Sequence, residues 1–324
     1  MKHTGSRIVK AVLALRVFGA KGRRTHMPVS LAKGYNDEWI AYPIGGDSGS
    51  IVRLSRSDGY IIIPENAMYF DEGEKVNVHL FTEQKLGSDM FFIGSHCPIA
   101  EILMEKLMEK YSIKIVNVGS MGGLLAVKRG EADVAGIHLY DPETKTYNKP
   151  YLKRYWLENK AAIIRGYDRE LVFAFRKNIE FKKAEDFFTG RFRLANRVLG
   201  SGTRSYLDNL LYKTSLKLKI DPSKIPEIIP GYNTEYKTHH KVVRAIVEGR
   251  ADVGLTLRYV AEQYGLKYKH VCWEKYDFVV RKNKLNKESV KHFISIIKDE
   301  KIKEMINSLA GYRIDENVGE IIYS

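Results

Sequence analysis

Cysteine is scarce in this chain. Cys97 and Cys272 lie far apart with no Cys-x-x-Cys spacing, which excludes a disulfide framework and a zinc ribbon and fits a reducing cytoplasm. Acid is short as well: 39 Asp and Glu face 53 Lys and Arg, giving net +14 and a pI near 9.4. Such a surplus suits an anionic partner and equally suits the solvated faces of a Lys-rich protein. No apolar run is long enough to cross a bilayer, and Ala11 to Leu15 is closed by Arg16 without a small-residue cleavage site, so no membrane span and no efficient signal peptide are expected. Catalytic signatures are missing too. Ser201 lies in Gly-Ser-Gly-Thr rather than in a nucleophile elbow, His239-His240 lacks metal-ligand spacing, and no P-loop or complete dinucleotide fingerprint occurs. Catalysis by this chain alone is therefore not expected, nor a covalently bound cofactor.

What is present fills about two domains. Richness in Lys, Ile and Glu with few thermolabile side chains points to a thermophile. Residues 1–27 carry seven Lys and Arg and no acid, yet Ile8, Val9, Val12, Leu13, Leu15, Val17 and Phe18 interleave them. Opening strands or a short helix are expected there, and nucleic-acid binding is not, because no groove-reading motif accompanies the charge. From 28 to about 82 strand-length runs (39–44, 50–54, 60–64, 76–81) alternate with turn clusters at 45–49, 57–59 and 71–73, the texture of a small barrel or sandwich.

Pro28-Val29, Ala41-Tyr42-Pro43-Ile44, Ser48-Gly49-Ser50-Ile51, Leu54, Ser57-Asp58-Gly59-Tyr60, Ile63-Pro64 and Glu72-Gly73-Glu74-Lys75-Val76 follow one another in an order that resembles the C-terminal β-barrel domain of molybdopterin molybdenumtransferase, the enzyme that inserts molybdate into the pterin cofactor. The resemblance covers roughly residues 20–82. It implies a nucleotide and pterin site that depends mainly on a central α/β domain ahead of the barrel, which these residues do not contain. The chain is thus either a fragment of a longer enzyme or a free-standing derivative, and is not expected to perform the insertion unaided.

After a polar linker at 83–88 the pattern turns to strand, helix, strand: 90–96, a helix after Pro98, 114–120, a helix opened by Met121-Gly122-Gly123-Leu124, and 134–139. This rhythm predicts a parallel sheet whose ligands sit beyond the carboxyl ends of the strands, where Ser95, His96, Ser120 and His138 fall. A repeat, Ala126 to Val134 echoed by Ala245 to Val253, marks two lobes of one architecture. Between them, 160–175 with Arg165 to Arg169 is the candidate hinge crossover, and a return strand is expected near 268–280. The centre of the design is 196–211, which follows a short buried strand at 192–195: the tight turn Gly200-Ser201-Gly202-Thr203 and a helix starting near Thr203, with Ser201 or Thr203 as N-cap. Such a helix start holds oxyanions on free N–H groups, and Arg197 and Arg204 flank it.

Gly94-Ser95-His96, Gly119 to Leu124, Glu131 to Leu139, Tyr147-Asn148, Asn196-Arg197 with Gly200 to Arg204, Gly231-Tyr232 before Thr238-His239, and Glu274 to Asp277 together resemble the type II periplasmic-binding-protein superfamily, in the branch of molybdate- and tungstate-type oxyanion binders. Relatives of this kind are found fused to the molybdenumtransferase barrel. The expected fold is an α/β two-lobed periplasmic-binding-protein-like domain preceded by a small all-β barrel. Its expected limits are 1–82 for the barrel, 83–88 for the linker and 89–324 for the domain, with lobe 1 at about 89–165 and 267–324 and lobe 2 at about 168–262. The expected ligand is molybdate or tungstate, with the pterin or an organic acid as the alternative. Ser201, Gly202 and Thr203 lead the candidate ligand-binding residues, followed by Ser95, Ser120 and Gly122, with Arg197 or Arg204 as charge partner. His96 and His138 either donate to the anion when protonated or lock the loops as neutral rings. Glu274 and Tyr276 fit lobe-locking, since a carboxylate beside the anion would repel it. A homodimer or upstream molybdenumtransferase domains are the partners this resemblance allows.

Overall fold

The computed structural model describes residues 7–34, 37–44, 57–81 and 86–324. The opening basic segment is strand: β1 (Ile8–Leu13) and the short β2 (Val17–Phe18) precede β3 (Thr25–Lys33), β4 (Trp39–Pro43), β5 (Gly59–Ile63), β6 (Tyr69–Phe70) and β7 (Lys75–Leu80). Five of these close a barrel in the order β1, β4, β3, β5, β7, while β2 and β6 pair separately. Alternation drives the closure: β5 buries Gly59, Ile61 and Ile63, β7 buries Val76, Val78 and Leu80, and Val29, Leu31 and Ala41 fill the same interior. Gly59 is required at the seam, since a Cβ there would lie 2.3 Å from the His79 carbonyl oxygen. The expected strand at 50–54, the turn at 45–49 and the first half of the 83–88 linker, residues 83–85, lie outside the described residues.

The barrel is docked on the α/β domain. Ala14, Ala32 and Tyr42 share a core with Val116, Leu124, Ala126 and Val127. The Tyr42 hydroxyl donates to Glu131, itself bound to Arg129 at 2.5 Å, and Lys114 Nζ lies 2.5 Å from Asp58.

The rest of the chain builds one large sheet. Its strands are β8 (Met90–Gly94), β9 (Ile113–Asn117), β10 (Val134–Ile137), β13 (Ala161–Phe175), β14 (Leu194–Arg197), β15 (Glu235–Tyr236), β16 (Val253–Leu257) and β17 (Lys267–Arg281), with β18 (Tyr312–Arg313) and β19 (Ile321–Tyr323) added to β13. A hairpin, β11 (Tyr140–Asp141) and β12 (Thr146–Tyr147), stands apart. The helices are α1 (Pro98–Met108), α2 (Gly119–Arg129), α3 (Lys149–Arg154), α4 (Gly202–Lys217), α5 (Ile225–Ile228), α6 (His239–Val247), α7 (Arg258–Gln263), α8 (Glu288–Lys298) and α9 (Glu300–Ser308).

The expected parallel sheet needs one correction. Strands β8, β9 and β10 are parallel, and so are β14, β15 and β16, but between the groups run β13 and β17, antiparallel to each other and to β10 and β16. Both are 15 residues long and cross from one group to the other. The Arg165 to Arg169 interruption is a register shift inside β13, between Ile164 and Tyr167, rather than a break. Each group has its own core, one built around α1 and α8, the other around α4 and α6. The repeat is physical. Both α2 and α6 run into left-handed glycines, Gly130 and Gly249, and the aspartate after each, Asp133 or Asp252, accepts the backbone N–H of Phe91 or Arg193 at 2.9 Å.

Candidate functional site

The two halves meet where β8, α2 and β10 of one face β14, α4 and α6 of the other. Contact is close: Gly202 packs on His138. Ser201 is the N-cap of α4, its hydroxyl accepting the Arg204 N–H at 3.1 Å. The amides of Gly202 and Thr203, first in the helix, have no intrahelical acceptor. Thr203 is 1% exposed and its hydroxyl has no partner among the described residues.

On the opposite side Ser95 follows β8 and its Oγ lies 2.9 Å from His138 Nε2. Ser120, in the first turn of α2, accepts the His138 backbone N–H at 3.1 Å. His138 Nδ1 lies 3.0 Å from Glu274 Oε2, and the other Glu274 oxygen takes a hydrogen bond from Arg169. Tyr276 stacks on His138 with ring centroids 5.9 Å apart and donates to the Ser95 carbonyl at 2.5 Å. Glu274 and Tyr276 thus tie hinge strand β17 to the first lobe through His138 and Ser95.

Three residues of the expected binding set turn elsewhere. Arg204 lays its Nε on Asp208 at 2.8 and 2.9 Å and its Nη1 on the Arg197 carbonyl at 3.1 Å, with its guanidinium 4.7 Å from the Tyr232 ring centroid. It braces the start of α4 and has little left for a guest. His96 reaches Glu101 on α1 at 3.2 Å. Gly122 is a packing glycine, because a Cβ there would meet Val118 at 2.8 Å.

The charge at the centre comes from residues of unequal visibility in the sequence. Arg197, at the end of β14, gives Nη1 to the Tyr236 carbonyl at 3.1 Å, and its buried Nε has no partner among the described residues. Arg169, fully buried inside β13, has no hydrogen-bond partner for Nε and Nη1 among the described residues. Composition gave no sign of Arg169 as a site residue, although a charge inside a strand buried along its whole length was the available signal. His239, first residue of α6, is buried against Thr256 at 3.2 Å. It too was legible only as part of a motif.

These groups perturb one another as close charges must. Burial, then the neighbouring Arg169, lower the Arg197 guanidinium to about 10. Burial, then Arg197, Arg169 and His138, push His239 well below its ordinary value. Burial also lowers His138 despite Glu274 beside it. Glu274 is held down to about 2, the attraction of Arg169 and His138 overcoming a large desolvation cost. Near pH 7 the cleft therefore holds two guanidinium groups against one carboxylate, with both histidines neutral. Tyr140 meets Tyr206 of α4 across the cleft at 5.4 Å, and burial pushes the Cys272 thiol up to about 12, so it stays protonated. Among the described residues no cluster of His, Cys, Asp and Glu could hold a metal ion, and no helix is long and apolar enough to cross a membrane.

Comparison with known proteins agrees with this architecture. The PBP superfamily domain matches residues 101–298, and the MoeA C-terminal region (domain IV) matches residues 10–81. The uncharacterized protein YvgK of Bacillus subtilis (strain 168) is 29% identical over 198 residues, 60% of this chain and 60% of that protein. The chain therefore spans less than two thirds of that relative's length. An uncharacterized protein from the 5′ region of a 2Fe-2S ferredoxin gene of Clostridium pasteurianum is 29% identical over 102 residues, 30% of this chain and 86% of that protein. Among solved structures, an ABC-type phosphate transport receptor from Vibrio cholerae covers 70% of this chain and 100% of its own at 16% identity and a TM-score of 0.48. The regulatory domain of MetR, a LysR family regulator from N. meningitidis, covers 70% and 98% at 15% identity and a TM-score of 0.45. With a family match over more than half its length and a two-lobed sheet hinged by β13 and β17, the chain belongs to the PBP superfamily.

Proposed function

We propose that the cleft binds a small oxyanion in the cytoplasm, in the service of molybdenum or tungsten cofactor biosynthesis. One observation carries this reading: fully buried Arg169 and half-buried Arg197 lie close enough to repel each other, keep buried N–H groups without partners among the described residues, and are offset there by the Glu274 carboxylate. A buried cation without a counter-charge costs several kcal/mol, on the order of what an anion seated there would return. Thr203 and the first amides of α4 add neutral donors from the second lobe, Ser120 a hydroxyl from the first. The barrel at residues 10–81 supports the biosynthetic setting, because it matches a MoeA region. Molybdate and tungstate are accordingly the first anions to try, with the pterin or an organic acid as the alternative guest.

The test is titration calorimetry of the purified protein with molybdate, tungstate, sulfate and phosphate, repeated on Arg197→Met. Saturable heat with at least one anion, lost in Arg197→Met, is expected. No heat with any of the four, in protein shown to be folded, refutes the reading. The second reading, a C-terminal portion of a molybdenumtransferase, is favoured by the barrel alone, and an α/β pterin-binding domain encoded contiguously upstream would establish it.

A further inference from the structure

Ser95, His138 and Glu274 form a hydrogen-bonded row, and the row has a direction. Glu274 lies fully buried between Arg169 and His138 as a carboxylate, so its oxygens only accept. His138 is a neutral ring near pH 7 and carries one ring hydrogen. That hydrogen belongs on Nδ1, 3.0 Å from Glu274 Oε2, which leaves Nε2 as a lone pair. Ser95 Oγ lies 2.9 Å from Nε2, so the only hydroxyl hydrogen of Ser95 is donated to the ring. The rest of Ser95 is engaged. Its N–H goes to the Gly136 carbonyl at 2.9 Å and its own carbonyl accepts the Tyr276 hydroxyl at 2.5 Å. Ser95 retains oxygen lone pairs and no donor.

Resting on the oxyanion reading, we propose that Ser95 faces the guest as an acceptor and makes the cleft demand one hydrogen: a tetrahedral oxyanion that keeps an O–H binds as it is, and a fully deprotonated one binds only with uptake of one proton from solvent. With a protonated oxyanion, the guest O–H donates to Ser95 Oγ while Arg197, Thr203 and Ser120 hold its bare oxygens, and no proton enters or leaves. With a bare one, two lone pairs would meet. Ser95 must then turn its hydrogen to the guest, and His138 Nε2 is left unpaired in a buried site until it takes a proton and donates to Ser95 Oγ. Around His138, Glu274 on β17 favours that uptake. Arg169 on β13, Arg197 on β14 and His239 on α6 oppose it. Ser120, stacked Tyr276 and Gly202 surround the ring without adding charge. Bare anions therefore bind at a penalty that protonated ones avoid.

The experiment counts protons. Phosphate, sulfate and molybdate are titrated calorimetrically into the full chain at about pH 8 in buffers of different ionisation enthalpy, which converts the buffer dependence of the heat into protons taken up per anion bound. About one proton per sulfate or molybdate and about none per phosphate are expected, with phosphate bound about tenfold more tightly or better, the usual size of a mismatched buried hydrogen bond. In Ser95→Ala, shown to be folded by its thermal transition, the preference for phosphate should fall below about threefold, since the acceptor is gone. Sulfate or molybdate binding to the wild-type chain without proton uptake overturns the proposal, as does a phosphate preference that survives in Ser95→Ala. The wild-type proton count needs no variant. Absence of binding by all three refutes the oxyanion reading itself, a different outcome from binding with the wrong proton count.

Discussion

Gly202 and His138 stand in van der Waals contact across the cleft: a methyl group on Gly202 would sit 2.5 Å from the His138 carbonyl oxygen and 2.6 Å from Nδ1. The ring nitrogen is held by Glu274, and the Leu139 N–H of the peptide that carries the carbonyl is held by Asn148, so a side chain at 202 must hold the lobes apart. In Gly202→Ala we expect anion affinity to fall by about tenfold or more while α4, still capped by Ser201, keeps its stability, alanine being the better helix former. Calorimetric titration and a thermal melt of the anion-free variant check the two halves of this expectation.

Arg197→Leu separates binding from stability. The guanidinium is largely buried beside Arg169, makes one hydrogen bond to a carbonyl and leaves Nε open. Removing it relieves like-charge repulsion, so the anion-free variant should be as stable as the parent or more stable by about 1 kcal/mol, whereas stabilisation by added anion should vanish. Urea unfolding with and without anion measures both. A variant that unfolds more readily yet retains anion stabilisation would contradict the placement of Arg197 in the site.

Acid should weaken the fold in two steps. His138 and His239 have pKa values lowered below 6.5, so their contribution is complete above about pH 6.5 and is lost as pH falls, when the unfolded chain takes protons that the folded one refuses. Glu274, held near 2 against an ordinary 4.5, adds on the order of 3 kcal/mol that is complete above about pH 4.5 and lost on descending toward 2. Unfolding free energies at about pH 8, 6 and 4 should decline in that order. Stability that rises on going from neutral to mildly acid conditions would contradict the buried neutral histidines.

Glu274→Gln should be among the most damaging single changes in the domain. Among the described residues it removes the one carboxylate that pairs with Arg169, a cation that is 0% exposed, and leaves it uncompensated, at a cost of about 3 to 5 kcal/mol. Added oxyanion should recover part of that loss by supplying the missing negative charge, an effect readable as a larger anion-induced shift in the melting temperature than the parent shows.

At the junction of barrel and sheet, Glu131→Ala should leave the buried Tyr42 hydroxyl without its acceptor and Arg129 without its carboxylate, a loss of about 1 to 3 kcal/mol. Because Tyr42 shares a core with Val116, Leu124 and Val127, barrel and first lobe should still melt together. Scanning calorimetry checks this, two resolved transitions in the parent chain being the contrary result.

Much of this arrangement was legible locally. The Gly-Ser-Gly-Thr turn announced α4 and its Ser201 cap, because cap and helix are neighbours in the chain. The matched stretches at 126–134 and 245–253 announced the two-lobed repeat through their glycine C-caps. Arg204 and Arg197 looked equivalent as charge partners, although Asp208 one turn after Arg204 was a readable sign that Arg204 would be spent along its own helix. Arg169 looked like an interruption of a strand. Its partner Glu274 lies 105 positions away, and nothing local joins them.

By itself the sequence determined the elements: the alternation that closes the barrel, the strand and helix rhythm of the lobes, the turns that start helices at the cleft, and an excess of positive charge. Only the tertiary structure decided which cations remain unanswered among the described residues, that β13 and β17 run antiparallel through both lobes, and that Ser95, His138 and Glu274 meet in one row. The physical reason is that periodicity and capping act over a few residues, whereas charge compensation and the direction of a hydrogen bond depend on partners that only the folded chain brings within 3 Å.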